Sequence, residues 1–560
     1  MSAPTITSLT AQHGEVQVMP VSFAQQRFWV LDQIEGEAGA YTIPLALRLA
    51  GDLDVEAFQQ ALDLIVQRHE ALRTVFALEG DDLMQIVLPA MQFPLATEDL
   101  RVLDAASRDE AVYLGAQANA NAPFDLAAGP LVRARLLRLG EREHVLLFAM
   151  HHIVSDGWSV GVLFDELERA YAAIWGGESP GLKELPLQYP DYAVWQRGAM
   201  QGGAAQRQIA YWKKRLQDLP TLELQTDYVR PAVQTSSGGK RELLVSKELV
   251  EGMRALARRE RATPYMAFLA AFVTLLRRYT SQEDIVVGSI TSGRRRAELE
   301  PLIGLFVNTL AIRMSLDGDP AFTDVMRHVS ERALEAYANE DVPFEQVVEA
   351  VQPVRDRSRS PIFQAAFQLL ENVSRELTLP GLRVTRVAGV KDTTKFELTL
   401  MLNAAPDGAL RAVCEFNSDL FHESTIDRLL GHYVVLLGSI LRDPSTPISR
   451  LALMDVAERV LLLEDWNATA TRMPVSSLHA LILEQARRTP DAVAVESDDA
   501  TGYVTRLTFA ELVARASAVA GLLRQHGVKP GVGVGVCIDR SCDLVVAMLG
   551  TLVAGGHYVP

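Results

Sequence analysis

Apolar residues fall along this chain in two alternating rhythms. Residues 145–150 (Val-Leu-Leu-Phe-Ala-Met) are an unbroken apolar run, which predicts a buried strand. Directly after it, Val160, Leu163, Phe164, Leu167 and Tyr171 recur at helical spacing, with Ser159 placed to cap the helix N-terminus. The same alternation of strands and amphipathic helices fills 21–184. One such helix starts at an Asp54 cap and carries the stripe Val55, Phe58, Leu62, Ile65, Val66 and His69. A polar, glycine-containing stretch at 176–184 predicts a join to a second lobe, 185–453. That lobe has a helix at 264–279 with Thr263 as cap and Pro264 at its first position, a strand at 284–291 and a helix at 426–441. Residues 1–20 are polar and unpatterned and predict a loose arm. The pattern lapses again over 454–475, a predicted linker. A new α/β pattern then fills 476–560: a capping box at Thr508 and Glu511 opening a helix to about Gln525, a strand at 532–538, and a helix at 544–553 ending on Gly555-Gly556. It breaks off at Pro560 mid-pattern, which predicts a truncated domain. No close internal repeat or low-complexity tract interrupts the chain.

The densest chemistry lies at the join of strand and helix at 150–159, Met-His-His-Ile-Val-Ser-Asp-Gly-Trp-Ser. Catalytic groups concentrate on loops held by rigid elements. Side chains alternate faces along a strand, so His152 groups with Leu146, Phe148 and Met150, and His151 with Val145, Leu147 and Ala149. One imidazole then faces a reaction channel while the other packs inside. Two satisfied core histidines are the competing reading. A metal site is the weakest of the three. Asp156 lies four residues beyond His152, but the glycine turn breaks any helical His-x-x-x-Asp face, and no cysteine or third histidine stands nearby.

Composition narrows the classes. At 560 residues the chain exceeds one ordinary core, and 48% hydrophobic with 22% charged residues describes a soluble globular protein. A net charge of −16 argues against nucleic acid and membrane surfaces as partners. No apolar run reaches the ~18 residues a membrane-spanning helix needs, and the N-terminus lacks a signal pattern, so a cytoplasmic location is expected. Cys414, Cys537 and Cys542 match no zinc or redox spacing and are expected to be small buried residues.

Seven stretches in order carry a family resemblance. They are Ser22-Phe-Ala-Gln-Gln-Arg-Phe-Trp29, Arg68-His-Glu-Ala-Leu-Arg-Thr-Val-Phe76, the 150–159 segment, Tyr189-Pro-Asp-Tyr-Ala-Val-Trp195, Ile303-Gly-Leu-Phe-Val-Asn-Thr309, Asn339-Glu-Asp-Val-Pro-Phe-Glu345 and Arg355-Asp-Arg-Ser-Arg-Ser-Pro361. Over roughly 21–453 the chain resembles a condensation domain of non-ribosomal peptide synthetases. From Leu507-Thr-Phe-Ala-Glu-Leu512 and Leu552-Val-Ala-Gly-Gly-His-Tyr-Val-Pro560, the tail resembles the opening of an adenylation domain. The ATP-binding loop and the later adenylation motifs are absent from the tail, so it is expected not to adenylate anything.

The resemblance implies a two-lobed, chloramphenicol-acetyltransferase-like α/β pseudodimer with a central tunnel. Donor and acceptor peptidyl carrier domains would deliver thioesters on phosphopantetheine arms from opposite mouths, with acyl-CoA as another possible donor. The aminoacyl amine attacks the acyl thioester, giving an amide, with no metal or redox cofactor. The resemblance casts His152 as the group acting on the amine and His151 as its support, with Gly157 a candidate oxyanion donor. Asp156 is expected to be structural and paired with Arg294 of the second lobe, Arg295 being the next choice. Arg27, Trp158, Ser159 and Asn308 are expected along the tunnel; Arg68 and Arg73 are expected to be architectural. The rest of an adenylation domain is a further expected partner. Two alternatives stand beside elongation. One is a starter domain that places a fatty acyl group on the first amino acid, suggested by Met1 lying about twenty residues before the first motif. The other is a catalytically silent platform, which the intact His-His-x-x-x-Asp-Gly segment disfavours.

Overall fold

In the computed structural model, which describes residues 15–35, 41–354, 356–370, 377–387, 394–405, 407–472, 476–498 and 504–560, the run at 145–150 lies in the strand Glu143–His151. This strand is central in a sheet ordered Leu382–Arg386, Thr42–Gly51, Glu143–His151, Val132–Gly140, Leu95–Asp99. Its pairs are antiparallel except the last, which is parallel. The run is apolar throughout because both faces are covered. Leu146, Phe148 and Met150 pack with Phe58, Leu62, Leu163, Phe164 and Leu167 of the helices Val55–Arg68 and Gly157–Trp175. Val145 and Leu147 meet Val112 and Ala116 of the helix Ala105–Asn121. Each large side chain so buried contributes about 1.5–3 kcal/mol, which anchors the end of the strand where His151 sits. The helix Val55–Arg68 starts at Asp54, whose carboxylate accepts the Ala57 N–H at 2.9 Å.

The second sheet is ordered Asn308–Ser315, Asp284–Thr291, Ala365–Leu370, Leu398–Ala404, Leu410–Asn417, Gly238–Val245. Its three inner strands from Asp284–Thr291 to Leu398–Ala404 run parallel, and the outer pairings are antiparallel. The helix Pro264–Thr280 is buried from Met266 through Leu276 and capped by Thr263. The helix Glu423–Arg442 adds Ile426, Leu429, Leu430, Tyr433, Leu436 and Leu437 to the same core. The lobes are not separate in sequence. Leu382–Arg386, far along the chain, forms the edge strand of the first sheet beside Thr42–Gly51.

The chain divides into two compact units, Met1–Glu458 and Arg459–Pro560. In the second, Val493–Asp498 and Val504–Thr508 form an antiparallel pair, and Gly533–Gly535 pairs in parallel with His557–Val559. The helices Phe509–Gln525 and Cys542–Ala554 enclose Leu507, Leu512, Ala516, Cys542, Val546 and Leu549. Thr508 and Glu511 form the capping box, and Gly555 ends the last helix with φ +97°, a left-handed conformation suited to glycine.

Several expectations need correction. Of the expected loose arm, residues 1–14 lie outside the described residues, but Gln17–Pro20 is a strand paired with Asp82–Val87. In the expected linker, 473–475 lie outside the described residues, whereas Val456–Val460 is helical and runs into a π turn at Leu461–Asp465. The strand expected at 532–538 shrinks to Gly533–Gly535, because its glycines give little side chain to pack. Cys414 and Cys542 are buried, but Cys537 is exposed. Arg355 of the last motif lies outside the described residues.

Candidate active site

A cavity of about 1830 Å³ opens between the two lobes, lined by Arg27, Phe28, His152, Gly157 and Trp158 from one side and by Tyr265, Ser289, Asn308, Phe344 and Lys395 from the other. The sheet ends at its wall. Glu143–His151 pairs His151 with Thr42, and the chain then leaves the sheet in a 3₁₀ turn, His152–Val154. The His152 N–H donates to the Tyr41 carbonyl at 2.8 Å. Face alternation therefore does not place His152; the turn does.

The His152 ring lies parallel to Phe28, centroids 5.2 Å apart, and lines the cavity. Its Nδ1 is buried near the main-chain oxygens of His152 and Ser155, without a bond of good geometry. That leaves Nε2 as the ring nitrogen available to a molecule in the cavity. Enclosure, helped by the positive charge of Lys395, holds the His152 pKa well below its ordinary value, so the ring is neutral near pH 7. His151 is buried instead, edge-on to Phe124 at 5.9 Å, with Nδ1 accepting the Ile153 N–H at 3.1 Å. Burial, with the charges of Lys395 and Arg133, pulls its pKa down to about 3. The two histidines are thus one cavity group and one core group.

Asp156 is the true cap of the helix Gly157–Trp175, accepting the Ser159 N–H at 2.8 Å, so the expected Ser159 cap is corrected. Ser159 is buried, and its hydroxyl serves the join between lobes. It accepts from Gly304 N at 3.1 Å and Arg294 Nη2 at 3.0 Å, and lies 2.8 Å from Asp156 and 2.9 Å from the Gly304 carbonyl. Arg294 Nη1 donates to Asp156 Oδ2 at 2.8 Å, both side chains wholly inaccessible to solvent. The same oxygen accepts the Phe306 N–H at 3.0 Å, and Arg294 lies over the Phe306 ring at 4.2 Å. Residues 294–306 of the second lobe are thereby tied to the start of a first-lobe helix. A second tie lies nearby, where His69 Nδ1 accepts the Ile303 N–H at 3.3 Å and Nε2 therefore donates to Glu166 at 2.8 Å.

Gly157 is the first residue of that helix and lines the cavity. A Cβ built there would meet nothing within 4 Å, so the bare backbone leaves open space over the helix N-terminus. Trp158 lines the cavity, its indole donating to the Glu300 carbonyl at 2.9 Å. Arg27 lines it too, paired with Glu345 at 3.0 Å. Asn308 braces the wall, donating to Glu340 and Val342 carbonyls at 2.8 and 3.0 Å and accepting from Phe344 N at 3.0 Å. Arg68 and Arg73 stand outside the cavity lining. Arg68 pairs with Glu166 at 2.9 Å, and Arg73 pairs with Glu70 at 3.5 Å and donates to the Leu88 carbonyl. Arg295 pairs with Glu340 and Asp341, not with Asp156.

The sequence reading missed Lys395. Its side chain is open to the cavity but ringed by protein, with Nζ 5.5 Å from the centroid of Phe28, the same ring that stacks on His152. Its only signal was a lysine three residues ahead of the apolar strand Leu398–Ala404. Among the described residues no group of three or more metal-ligating side chains comes together.

Comparison with known proteins places the chain in a family. The condensation domain family model covers residues 15–463, and the AMP-binding enzyme model covers 482–560. The chain belongs to the condensation-domain family of non-ribosomal peptide synthetases, followed by the start of an AMP-binding domain. Its fold is the family's two-lobed, chloramphenicol-acetyltransferase-like arrangement, and it is an amide-forming enzyme of the acyltransferase type. A linear gramicidin synthase of Brevibacillus parabrevis is 43% identical over 97% of this chain, which spans only 7% of that relative's length. A four-domain nonribosomal peptide synthetase bound to AMP and glycine shares the fold with a TM-score of 0.84 at 23% identity, covering 98% of this chain and 42% of that one. The first condensation domain of the calcium-dependent antibiotic synthetase, in complex with a substrate analogue, gives 0.64 at 19%, covering 78% and 99%. Among the described residues, no helix is long and apolar enough to cross a membrane.

Proposed function

We propose that this chain joins an acyl or aminoacyl donor to an aminoacyl acceptor, each held as a thioester on the phosphopantetheine arm of a separate carrier domain. The observation that carries the proposal is the placement of His152: a neutral imidazole with Nε2 open, in a cavity that reaches both lobes. The acceptor amine attacks the donor carbonyl, the C–N bond forms, the C–S bond breaks and the donor arm leaves as a free thiol.

Magnitudes assign the parts. An α-amine has a pKa of about 7.7–8.0, so deprotonating it first gains only ~1 kcal/mol at neutral pH. Aligning two tethered reactants lowers a barrier by roughly 7–11 kcal/mol in favourable cases. Alignment dominates, and His152 adds to it. Its Nε2 accepts a hydrogen bond from the attacking amine and takes the proton as the C–N bond forms, worth ~10²–10⁴-fold in rate. The open N-terminus of the helix Gly157–Trp175 offers main-chain N–H groups to the oxyanion. Asp156, Arg294 and Ser159 keep the lobes in register around this centre.

The test supplies the chain with an acceptor-loaded carrier and, in separate reactions, an aminoacyl-loaded carrier, a fatty-acyl-loaded carrier or fatty acyl-CoA. Product on the acceptor is read by mass spectrometry. Peptide formed with the aminoacyl carrier supports elongation; N-acylation by the fatty donors alone replaces it with a starter role. No amide with any donor contradicts the proposal.

A further inference from the structure

The cavity holds a cation that the proposed reaction, as derived above, does not use. Lys395 enters it from the residue before Phe396, and among the described residues no carboxylate lies within ion-pair distance of its ammonium, Glu415 acting on it only from farther off. Arg27, the neighbouring cation on the wall, is by contrast paired with Glu345 at 3.0 Å. Phe28 ties Lys395 to the histidine. One ring stacks on His152 at 5.2 Å and has the Lys395 Nζ 5.5 Å from its centroid. Lys395 is exposed to the cavity, and with no described carboxylate in reach its ammonium is left to pair with an anion formed inside it. The reaction creates one: the carbonyl oxygen becomes an alkoxide in the tetrahedral intermediate.

We propose that Lys395 is a further catalytic residue, whose ammonium pairs with the oxyanion of the tetrahedral intermediate. The inference rests on the amide-forming reading of the same cavity. As the amine nitrogen bonds to the thioester carbon, the C=O electron pair moves to oxygen, opposite Lys395. The amine proton passes to His152 Nε2. When the oxyanion collapses, the C–S bond breaks, the sulfur takes the pair, and the proton on His152 moves to it. Lys395 keeps its own proton throughout, so atoms and charges balance without another reactant. A lysine suits this work because its four-carbon stem lets the charge follow the oxygen. Lys395 also repels a proton from His152, which keeps that ring a proton acceptor.

The experiment compares wild type, Lys395→Met, Lys395→Arg and His152→Ala in the full chain, with donor and acceptor on carriers and both side chains neutral. Single-turnover rates and carrier concentration dependence are measured from pH 6 to 9.5, with melting curves for each variant. The expected result is a ~10²–10³-fold fall in kcat for Lys395→Met, the size found for loss of one oxyanion donor. KM for both carriers stays unchanged, and Lys395→Arg recovers most of the rate. Enclosure and the Arg27 charge, opposed by Glu415, draw the Lys395 pKa down to about 8, so wild type loses rate above that pH through lysine deprotonation, and Lys395→Met lacks this limb. A Lys395→Met rate within threefold of wild type overturns the inference, as does a loss confined to KM. If Lys395→Met melts early, the Lys395→Arg rate and its alkaline limb decide in the same way. Wild type and His152→Ala separate the two readings: inactive His152→Ala beside a fully active Lys395→Met defeats only the lysine, whereas a wild type that forms no amide defeats the amide-forming assignment beneath it.

Discussion

Replacing Asp156 by Ala removes one carboxylate and strands a buried charge. The carboxylate receives the Ser159 N–H at 2.8 Å, the Phe306 N–H at 3.0 Å and Arg294 Nη1 at 2.8 Å, and stands 2.8 Å from the Ser159 hydroxyl. Without it, among the described residues Arg294 keeps only Ser159 Oγ, the Leu302 carbonyl and a distant Ser292 carbonyl as hydrogen-bond acceptors, while its Nε already lacks one. Both side chains of the pair are at 0% exposure, so water does not replace the lost partner. Breaking such a pair costs about 3–5 kcal/mol, most of it the uncompensated guanidinium. With an unfolding entropy of about 2.1 cal/mol/K per residue, a unit of this size changes entropy by roughly 1 kcal/mol/K, so Tm falls by about 3–5 °C. Asp156→Asn keeps an acceptor for the cap and costs less. Circular-dichroism melts of Asp156→Ala, Arg294→Met and the double variant supply the cycle, and the double variant is expected to be more stable than the sum of the single losses by at least ~2 kcal/mol. A coupling within about 0.5 kcal/mol of zero, or an Asp156→Ala melt within 1 °C of wild type (about 1 kcal/mol at that entropy), refutes the reasoning.

Two further outcomes follow from the same geometry. His151 has its pKa drawn below the ordinary 6.5 to about 3, so as pH falls from 6.5 the unfolded chain takes up that proton first and stability is lost progressively down to pH 3. His151→Phe, which keeps the ring packed, flattens that acid limb in melts between pH 7 and 4.5, and an unchanged slope counts against the assignment. Gly157→Ala puts a methyl into open space at the helix start, so Tm holds or rises while amide formation drops at least ~10-fold through crowding of the oxyanion position; an active variant shows that nothing docks there.

The parts legible in sequence were those set by local pattern. The strand Asp284–Thr291 matches its apolar run, and Thr508 with Glu511 forms the capping box its spacing predicts. The meeting of Asp156 with Arg294 came from a motif, since nothing local pairs residues 138 positions apart. Where several residues can do one job, pattern alone misassigned it. Asp156 and Ser159 are both good caps, and the choice fell to the one whose partner's hydroxyl was claimed by the other lobe. Leu382–Arg386 was illegible as a first-lobe strand because pairing across the chain leaves no trace in five residues. Lys395 escaped for a related reason. Its chemistry comes from its position beside Phe28 on the cavity wall and from the distance to the nearest described carboxylates, and neither is a property of neighbours in sequence.

The central claim is that amide formation depends on the His152 imidazole in the cavity between the lobes. Its most direct test is the single-turnover rate of product formation from preloaded donor and acceptor carriers, for wild type and His152→Ala, with matched melts. The account predicts a ~10²–10⁴-fold slower rate at unchanged Tm. A well-folded His152→Ala that forms amide within threefold of the wild-type rate contradicts it.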